Sequence, residues 1–199
     1  MIHGIIKIWF TIALIFVMIP MKIYAEEPDD IQCKFTQTDS SYTFYGCFKI
    51  NATPKCLLEI SFSYNHIRKL ALDAKEVLLI DQGSNWNQIS YTYKKFTFFK
   101  SKTVWHRILN EENLRVDFAL VSSENNQTIM PRMISSSGFY QIKQQNEYFI
   151  MEYYQQCQLT EKSFTKLYLN SVKKEAIKFM HKFFEYACTY CDNSTSANK

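Results

Sequence analysis

The stretch on which the fold prediction depends is residues 160–187, which read TEKSFTKLYLNSVKKEAIKFMHKFFEYA. It contains no glycine or proline, and its apolar residues recur every three or four positions, as on one face of a helix. Lysines occupy most of the intervening positions, so a membrane-surface helix with a basic polar face is an alternative. We predict an amphipathic helix over residues 161–187, about 27 residues and about 40 Å long, whose apolar face packs on a sheet.

Strand-like segments separated by short polar breaks precede this helix. Each alternates apolar and polar residues; Val116, Phe118 and Leu120, for example, share one face opposite Asp117. Short breaks join antiparallel neighbours, and one apolar face per strand indicates a sheet covered on one side. The predicted strands span residues 76–81, 88–99, 103–109, 114–122, 137–143 and 148–158.

The region after residue 30 predicts a hairpin followed by short helices. Residues 31–38 and 42–50 alternate and are rich in aromatic and β-branched side chains. Pro54 then marks a helix beginning. The predicted fold class is α+β, with a curved antiparallel sheet wrapped around a long C-terminal helix.

This order of elements, with Ser137-Gly-Phe-Tyr-Gln-Ile, Tyr148-Phe-Ile-Met-Glu-Tyr-Tyr and the helix from Thr160, resembles the START-like (helix-grip) superfamily. That superfamily includes StAR-related lipid-transfer domains, polyketide cyclases and birch-pollen-allergen-like proteins. The resemblance covers about residues 31–188. It implies a cavity between sheet and helix that holds a hydrophobic ligand.

The residues expected to line that cavity combine aromatic surface with polar groups. Tyrosine and tryptophan need a hydrogen-bond partner when buried, which suits an amphipathic ligand; the alternative is that they form ordinary core. The candidate ligand-binding residues are Tyr91, Tyr93, Trp105, Arg107, Phe118, Tyr140, Met151, Tyr153, Val172 and Phe179.

Arg107 is the candidate charged group of the site. If Trp105 points inward, Arg107 does too, and a buried arginine needs an anion such as Glu152, Asp117, or a ligand carboxylate or phosphate. A register shifted by one residue would place Arg107 in solvent and His106 inside.

Export is predicted from the N-terminus and the cysteines. Residues 1–25 have a basic start, an apolar run and a cleavage-like Ile23-Tyr24-Ala25, the order of a signal peptide, so the protein would be secreted or periplasmic. The even cysteine count indicates three disulfides, and the turn centred on Ser40 favours a Cys33–Cys47 pair. The six cysteines are Cys33, Cys47, Cys56, Cys157, Cys188 and Cys191.

The remaining sequence features argue against several classes of function. A formal charge of only +4 argues against a nucleic-acid binder, and no recognised hydrolase motif, phosphate loop or metal-ligand set occurs. We therefore expect a monomeric, non-catalytic binder of a lipid-like molecule, without cofactor or metal, whose membrane contact is transient. The alternatives are a polyketide-cyclase-like enzyme and a secreted interaction module with a filled core.

The expected domain organisation is a signal peptide over 1–25, a ligand-binding domain over 26–190 and a flexible tail over 191–199. Sequons at Asn51, Asn126 and Asn193 are glycan acceptors only if the host has a eukaryotic secretory pathway.

Overall fold

The computed structural model describes residues 30–71, 73–95, 99–126 and 128–196, which form one antiparallel sheet and three helices. The predicted signal peptide lies outside the described residues. The strands are β1 Ile31–Gln37, β2 Ser41–Ile50, β3 Ala74–Gln82, β4 Trp86–Lys95, β5 Phe99–Asn110, β6 Arg115–Asn125, β7 Met133–Gln145 and β8 Tyr148–Leu159. The helices are α1 Pro54–Phe62, α2 Tyr64–Leu70 and α3 Thr165–Ser196.

The strand order is β1-β2-β8-β7-β6-β5-β4-β3. Strands β3 to β8 follow one another as a meander because only short turns join them. The chain between β2 and β3 is longer and contains α1 and α2, so it can cross to the opposite edge of the sheet. Strand β8 then returns beside β2. The predicted α+β, helix-grip architecture is confirmed.

Helix α1 begins where the sequence indicated. Pro54 occupies the first turn, and the Thr53 hydroxyl accepts a 3.3 Å hydrogen bond from the Cys56 amide. Proline fits there because it lacks an N–H that would have no partner, and the threonine satisfies one of the amides that remain.

Helix α3 packs against β1 and β2, and its later turns also contact α1 and α2. Gly46 on β2 permits the close approach, because a Cβ at that position would lie 2.7 Å from Cγ of Met180. Phe48 beside it makes edge contacts with Phe183 and Phe184, each with ring centres 5.4 Å apart. In the described part of the chain, no helix is long and apolar enough to cross a bilayer.

Most predicted boundaries shift by a few residues, and two of the shifts change how a segment is interpreted. The strand predicted over 88–99 ends at Lys95, and β5 begins at Phe99, so the polar Lys100-Ser101-Lys102 stretch lies within β5 instead of separating two strands. The final helix starts at Thr165 rather than 161 and continues to Ser196. Residues 191–196 of the expected tail are therefore helical, since Cys191 attaches them to α1.

The predicted Cys33–Cys47 disulfide is wrong. In the β1–β2 register, Cys33 pairs with Gly46 and Cys47 pairs with Gln32, so the two cysteines are one position out of register and face opposite sides of the sheet. The disulfide of the described residues joins Cys56 of α1 to Cys191 of α3, with Cα atoms 6.0 Å apart.

Candidate functional site

The face of the sheet that α3 covers, called the inner face below, carries a cluster of aromatic rings. Tyr153 lies 5.0 Å from Tyr140 and 5.6 Å from Phe118, between ring centres. Helix α3 reaches this cluster through Phe179, 5.4 Å from Tyr153, and Phe183, 5.8 Å from Tyr140. Strand alternation places these side chains on one face, as predicted.

Tyrosine hydroxyls converge in this region. Burial raises the pKa of Tyr153 well above the ordinary tyrosine value, and the hydroxyls of Tyr140, Tyr91 and Tyr93 act on it electrostatically in the same direction. Burial likewise raises the pKa of Tyr93, to which Tyr168 of α3 also contributes. Burial also raises the pKa values of Tyr91, Tyr140 and Tyr168, so all five hydroxyls are poorly solvated, and that of Tyr153 donates a 3.0 Å hydrogen bond to Oε1 of Gln155. We call these five tyrosines the tyrosine cluster.

The part of the inner face on β4 and β5 is less tightly covered than the part on β2 and β8. Tyr91, Tyr93 and Trp105 are half-buried, whereas Phe44 and Phe48 are fully buried under α3. The close partners of α3 are β1, β2, α1 and α2. The more accessible aromatic side chains are thus those of the sheet half away from the helix.

Arg107 points inward and is buried, with only 3% of its surface exposed. Its guanidinium donates hydrogen bonds to the carbonyls of Ser61 and Phe62, with a distance of 3.1 Å for Nη1 to Phe62. These are carbonyls of the last turn of α1, where the helix dipole is negative. Burial raises the pKa of Tyr140, and the positive charge of Arg107 opposes this with a smaller effect. Arg107 therefore links the end of α1 to the tyrosine cluster.

The acidic partners expected for Arg107 do not reach it. Asp117 faces outward and accepts hydrogen bonds from Arg115, the shortest being 2.7 Å. Glu152 also faces outward and pairs with Lys143 at 2.8 Å. Both carboxylates occupy positions that alternate with the inward residues of their strands, so both point to the outer face of the sheet.

The remaining candidates divide between core and site. Met151 is fully buried, and Phe118, Tyr140 and Tyr153 are almost as deeply buried. Met151 is a core residue, since none of its surface is accessible. Val172 and Phe179 of α3 are half-buried against the aromatic cluster.

Sequence reasoning missed two residues of this region. Tyr168 fits the helical spacing of the apolar residues of α3, and only the packing of α3 shows that its hydroxyl acts on Tyr93 of the cluster. Asn87 is 4% exposed and donates a 3.1 Å hydrogen bond to the same Phe62 carbonyl as Arg107. Its position on β4 opposite Arg107 on β5 follows from the register, which the sequence does not specify.

The described histidines at 66 and 106 lie away from the tyrosine cluster. His66 is buried between α2 and α3, where Nδ1 lies 2.7 Å from the Tyr186 hydroxyl and Nε2 lies 3.5 Å from Glu59. His106 faces outward and lies beside Trp86, with ring centres 5.5 Å apart and ring planes inclined by 37°. No group of three or more side chains suited to binding a metal ion is present in the described residues.

Two surface depressions lie on other parts of the molecule. One, of about 320 Å³, opens on the outer face beside His106, Asp117 and Tyr154. The other, of about 350 Å³, lies near Asn125, Arg132 and Lys162.

Comparison with known proteins shows similarity at the level of structure. No protein-family model matches the chain, and no curated protein matches it. A STAR-related lipid transfer protein from Xanthomonas axonopodis superposes with a TM-score of 0.62 at 10% identity, covering 82% of this chain and 96% of that one. Human STARD10 superposes with a TM-score of 0.57 at 11% identity, covering 86% and 78%.

A third similar structure is the di-domain ARO/CYC StfQ from the steffimycin biosynthetic pathway. Its TM-score is 0.62 at 6% identity, and the match covers 79% of this chain and 53% of that two-domain protein. At these identities the shared feature is the fold. The protein adopts the helix-grip fold that these structures share.

Proposed function

We propose that the protein binds a lipid-like, amphipathic small molecule between the inner face of the sheet and the first half of α3, without catalysing a reaction. The observation that carries the proposal is the tyrosine cluster. Its hydroxyls converge from two distant parts of the sheet and from α3, in surroundings apolar enough to raise their pKa values. Polar groups gathered in an apolar region are typical of small-molecule sites.

The two ends of such a ligand meet different surfaces. Tyrosine hydroxyls both donate and accept hydrogen bonds, so they can bind a hydroxyl, carbonyl or carboxylate. Trp105, Phe118 and Phe179 offer aromatic surface for an apolar body. A sealed core would instead be filled with aliphatic side chains that need no polar partner.

Arg107 favours a ligand whose polar end is anionic. Its hydrogen-bond acceptors are neutral carbonyls, and within the described residues it forms no ion pair with a carboxylate. A positive charge of low exposure attracts an anion strongly because little water screens it. A fatty acid or a similar carboxylate amphiphile is therefore the first ligand to test.

Binding without catalysis is supported by the placement of the acid–base groups. Asp117, Glu152 and His106 face outward, and His66 lies between two helices. General acid–base catalysis requires such a group within hydrogen-bond reach of the substrate. A polyketide-cyclase-like activity is the alternative, for which Asp73 is the nearest acidic group because it acts electrostatically on Tyr93, although its side chain is largely exposed and lies 4.0 Å from Nζ of Lys178.

We further propose that the protein is exported as a monomer. The signal-like order of residues 1–25 and the Cys56–Cys191 disulfide support export, because disulfides persist in oxidising compartments. N-terminal sequencing of the protein recovered outside the cytoplasm tests cleavage after Ala25, and light scattering on the same sample tests its mass. A chain retained in the cytoplasm would contradict this part of the proposal.

The test of ligand binding uses anthroyl-labelled stearic acid and native mass spectrometry of the purified protein without added lipid. Val172→Trp adds bulk on the half-buried face of α3 and is expected to abolish binding. Lys173→Trp makes the matched change at the exposed neighbouring position and is expected to bind like the unmodified protein. Both variants must give the circular dichroism spectrum of the unmodified protein.

A second matched pair tests the hydroxyls. Tyr93→Phe removes one hydroxyl of the tyrosine cluster, whereas Tyr154→Phe removes one on the outer face beside Phe139. One hydrogen bond corresponds to about a 3- to 10-fold weaker affinity, expected for Tyr93→Phe alone. Equal binding by all four variants would refute the proposed site.

A further inference from the structure

Oδ1 of Asn87, on the inner face of β4, is a buried acceptor with no hydrogen-bond partner among the described residues. Asn87 is 4% exposed, and its Nδ2 donates a 3.1 Å hydrogen bond to the Phe62 carbonyl, which fixes the orientation of the carboxamide. Buried polar atoms of folded proteins nearly always have a partner, because an acceptor without a donor is unfavourable away from water. The proposed ligand site therefore borders an oxygen that lacks a donor.

The other three buried side-chain atoms without a hydrogen bond in the described residues lie elsewhere. Ser90 and His106 occupy outward positions of β4 and β5, next in sequence to the inward Ile89 and Arg107. Oε2 of Glu175 belongs to α3 and lies 3.8 Å from Nζ of Lys178. Within the described part of the chain, the acceptor of Asn87 is thus the one on the inner face of the sheet.

Asn87 adjoins the buried cation of the site. It is paired directly with Arg107 across β4 and β5, and Nδ2 of Asn87 and Nη1 of Arg107 both lie 3.1 Å from the same Phe62 oxygen. Cζ of Arg107 lies 5.9 Å from the centre of the Tyr140 ring, so the pair borders the tyrosine cluster. We call Asn87 and Arg107 the polar corner.

The two side chains of the polar corner have opposite requirements. A guanidinium has five N–H donors and no acceptor, and the α1 carbonyls accept from only two of its nitrogens. Oδ1 of Asn87 is only an acceptor. A plain carboxylate matches Arg107 but brings no donor to Asn87. A hydroxyl on the carbon beside the carboxylate supplies that donor, just as the polar corner places an acceptor beside a cation.

We propose that the polar corner selects 2-hydroxy carboxylic acids of lipid-like length over unsubstituted fatty acids. Arg107 binds the carboxylate, and the hydroxyl donates to Oδ1 of Asn87. The acyl chain lies along the aromatic surface of Trp105 and Phe118, whose ring centres are 5.8 Å apart. This selectivity rests on the proposed function and names its ligand class, with Asn87 as a specificity-determining residue.

Displacement of anthroyl-labelled stearic acid by three unlabelled acids tests the selectivity on the unmodified protein. 2-Hydroxystearic acid is expected to displace the label at a concentration about 3- to 10-fold lower than stearic acid, which is the effect of one added hydrogen bond. 12-Hydroxystearic acid is the matched control, because it has the same composition but carries its hydroxyl far from the carboxylate. It should not gain this advantage.

Asn87→Leu removes the acceptor, while the Phe62 carbonyl retains its hydrogen bond from Arg107. The ratio of the affinities for 2-hydroxystearic acid and stearic acid should fall to about 1 in this variant. Asn170→Leu makes the matched change at an exposed position of α3 and should keep the ratio of the unmodified protein. Circular dichroism checks the folding of both variants. If Asn87→Leu does not fold, the comparison of the three acids on the unmodified protein still decides.

The outcomes separate this selectivity from the proposed function. Displacement by all three acids at equal concentrations supports the proposed function and overturns the role of Asn87. An advantage shared by 12-hydroxystearic acid overturns it as well, because the hydroxyl then needs no neighbouring carboxylate. An advantage retained by Asn87→Leu does the same, because another group then accepts the hydrogen bond. Failure of the labelled acid to bind at all refutes both proposals.

Discussion

Nη1 of Arg107 donates a 3.1 Å hydrogen bond to the Phe62 carbonyl, joining the middle of the sheet to the end of α1. The same guanidinium donates to the Ser61 carbonyl, and Asn87 donates to Phe62 as well. The buried cation is thus stabilised by the negative end of a helix rather than by a carboxylate. The hydrogen bonds of Arg107 hold the end of α1 against the sheet, and its positive charge acts on Tyr140 of the tyrosine cluster.

Replacing Arg107 by methionine should therefore destabilise the protein. The change removes the hydrogen bonds that the guanidinium donates to the Ser61 and Phe62 carbonyls. Charged hydrogen bonds of this kind contribute about 2–3 kcal/mol to stability. Urea unfolding followed by circular dichroism measures the difference. Arg107→Lys should recover only part of it, because an ammonium lacks the planar fork that reaches both carbonyls. Unchanged stability in the methionine variant would show that this contact is unimportant.

Gly46 should be intolerant of a side chain because of Met180. A Cβ at Gly46 would lie 2.7 Å from Cγ and 2.8 Å from Sδ of Met180, so Gly46→Ala is expected to cost about 1–3 kcal/mol. Met180→Ala creates space, so the double variant should be more stable than the sum of the single losses predicts. Thermodynamic cycles from urea unfolding provide the comparison, and strict additivity would contradict direct contact.

The Cys56–Cys191 disulfide should stabilise the attachment of α3. It links residues 135 positions apart, and closing a loop of that size stabilises a protein by about 2–5 kcal/mol. Cys56→Ala with Cys191→Ala is expected to lose that amount and to increase hydrogen exchange in the last turns of α3. The unmodified protein after reduction should behave in the same way. Equal stability of oxidised and reduced protein would show that the bond contributes nothing.

The tyrosine cluster predicts a loss of stability at alkaline pH. Burial raises the folded-state pKa values of Tyr93, Tyr140 and Tyr153 above the ordinary value of 10.0. Their full contribution is present below pH 10.0, where the phenols are neutral in both states. It declines as pH rises above 10.0 toward the folded-state values, because the unfolded chain then releases more protons.

Tyrosinate absorbance and circular dichroism, followed together during an alkaline titration, test this. We expect part of the absorbance change to coincide with cooperative unfolding. Complete ionisation near pH 10.0 with the fold intact would contradict the burial of the hydroxyls.

The sequence alone determined the order of elements and the face of most strands. The period-two alternation around Val116 and Phe118, and the helical spacing after Thr165, reflect burial on one side, which local pattern records directly. Alternation predicted only that Arg107 faces the same side as Trp105, and the structure decided that this side is the inner one. These features depend on residues near one another in the chain.

Only the tertiary structure decided which residues meet. The offset of Cys33 from Cys47 depends on a one-position register, and the partner of Arg107 is a helix end whose carbonyls have no side-chain signature. The position of Tyr168 in the tyrosine cluster likewise depends on how α3 docks, with Met180 packed against Gly46. Register, backbone acceptors and helix docking are set by contacts between distant segments, and a single sequence carries no local pattern for them.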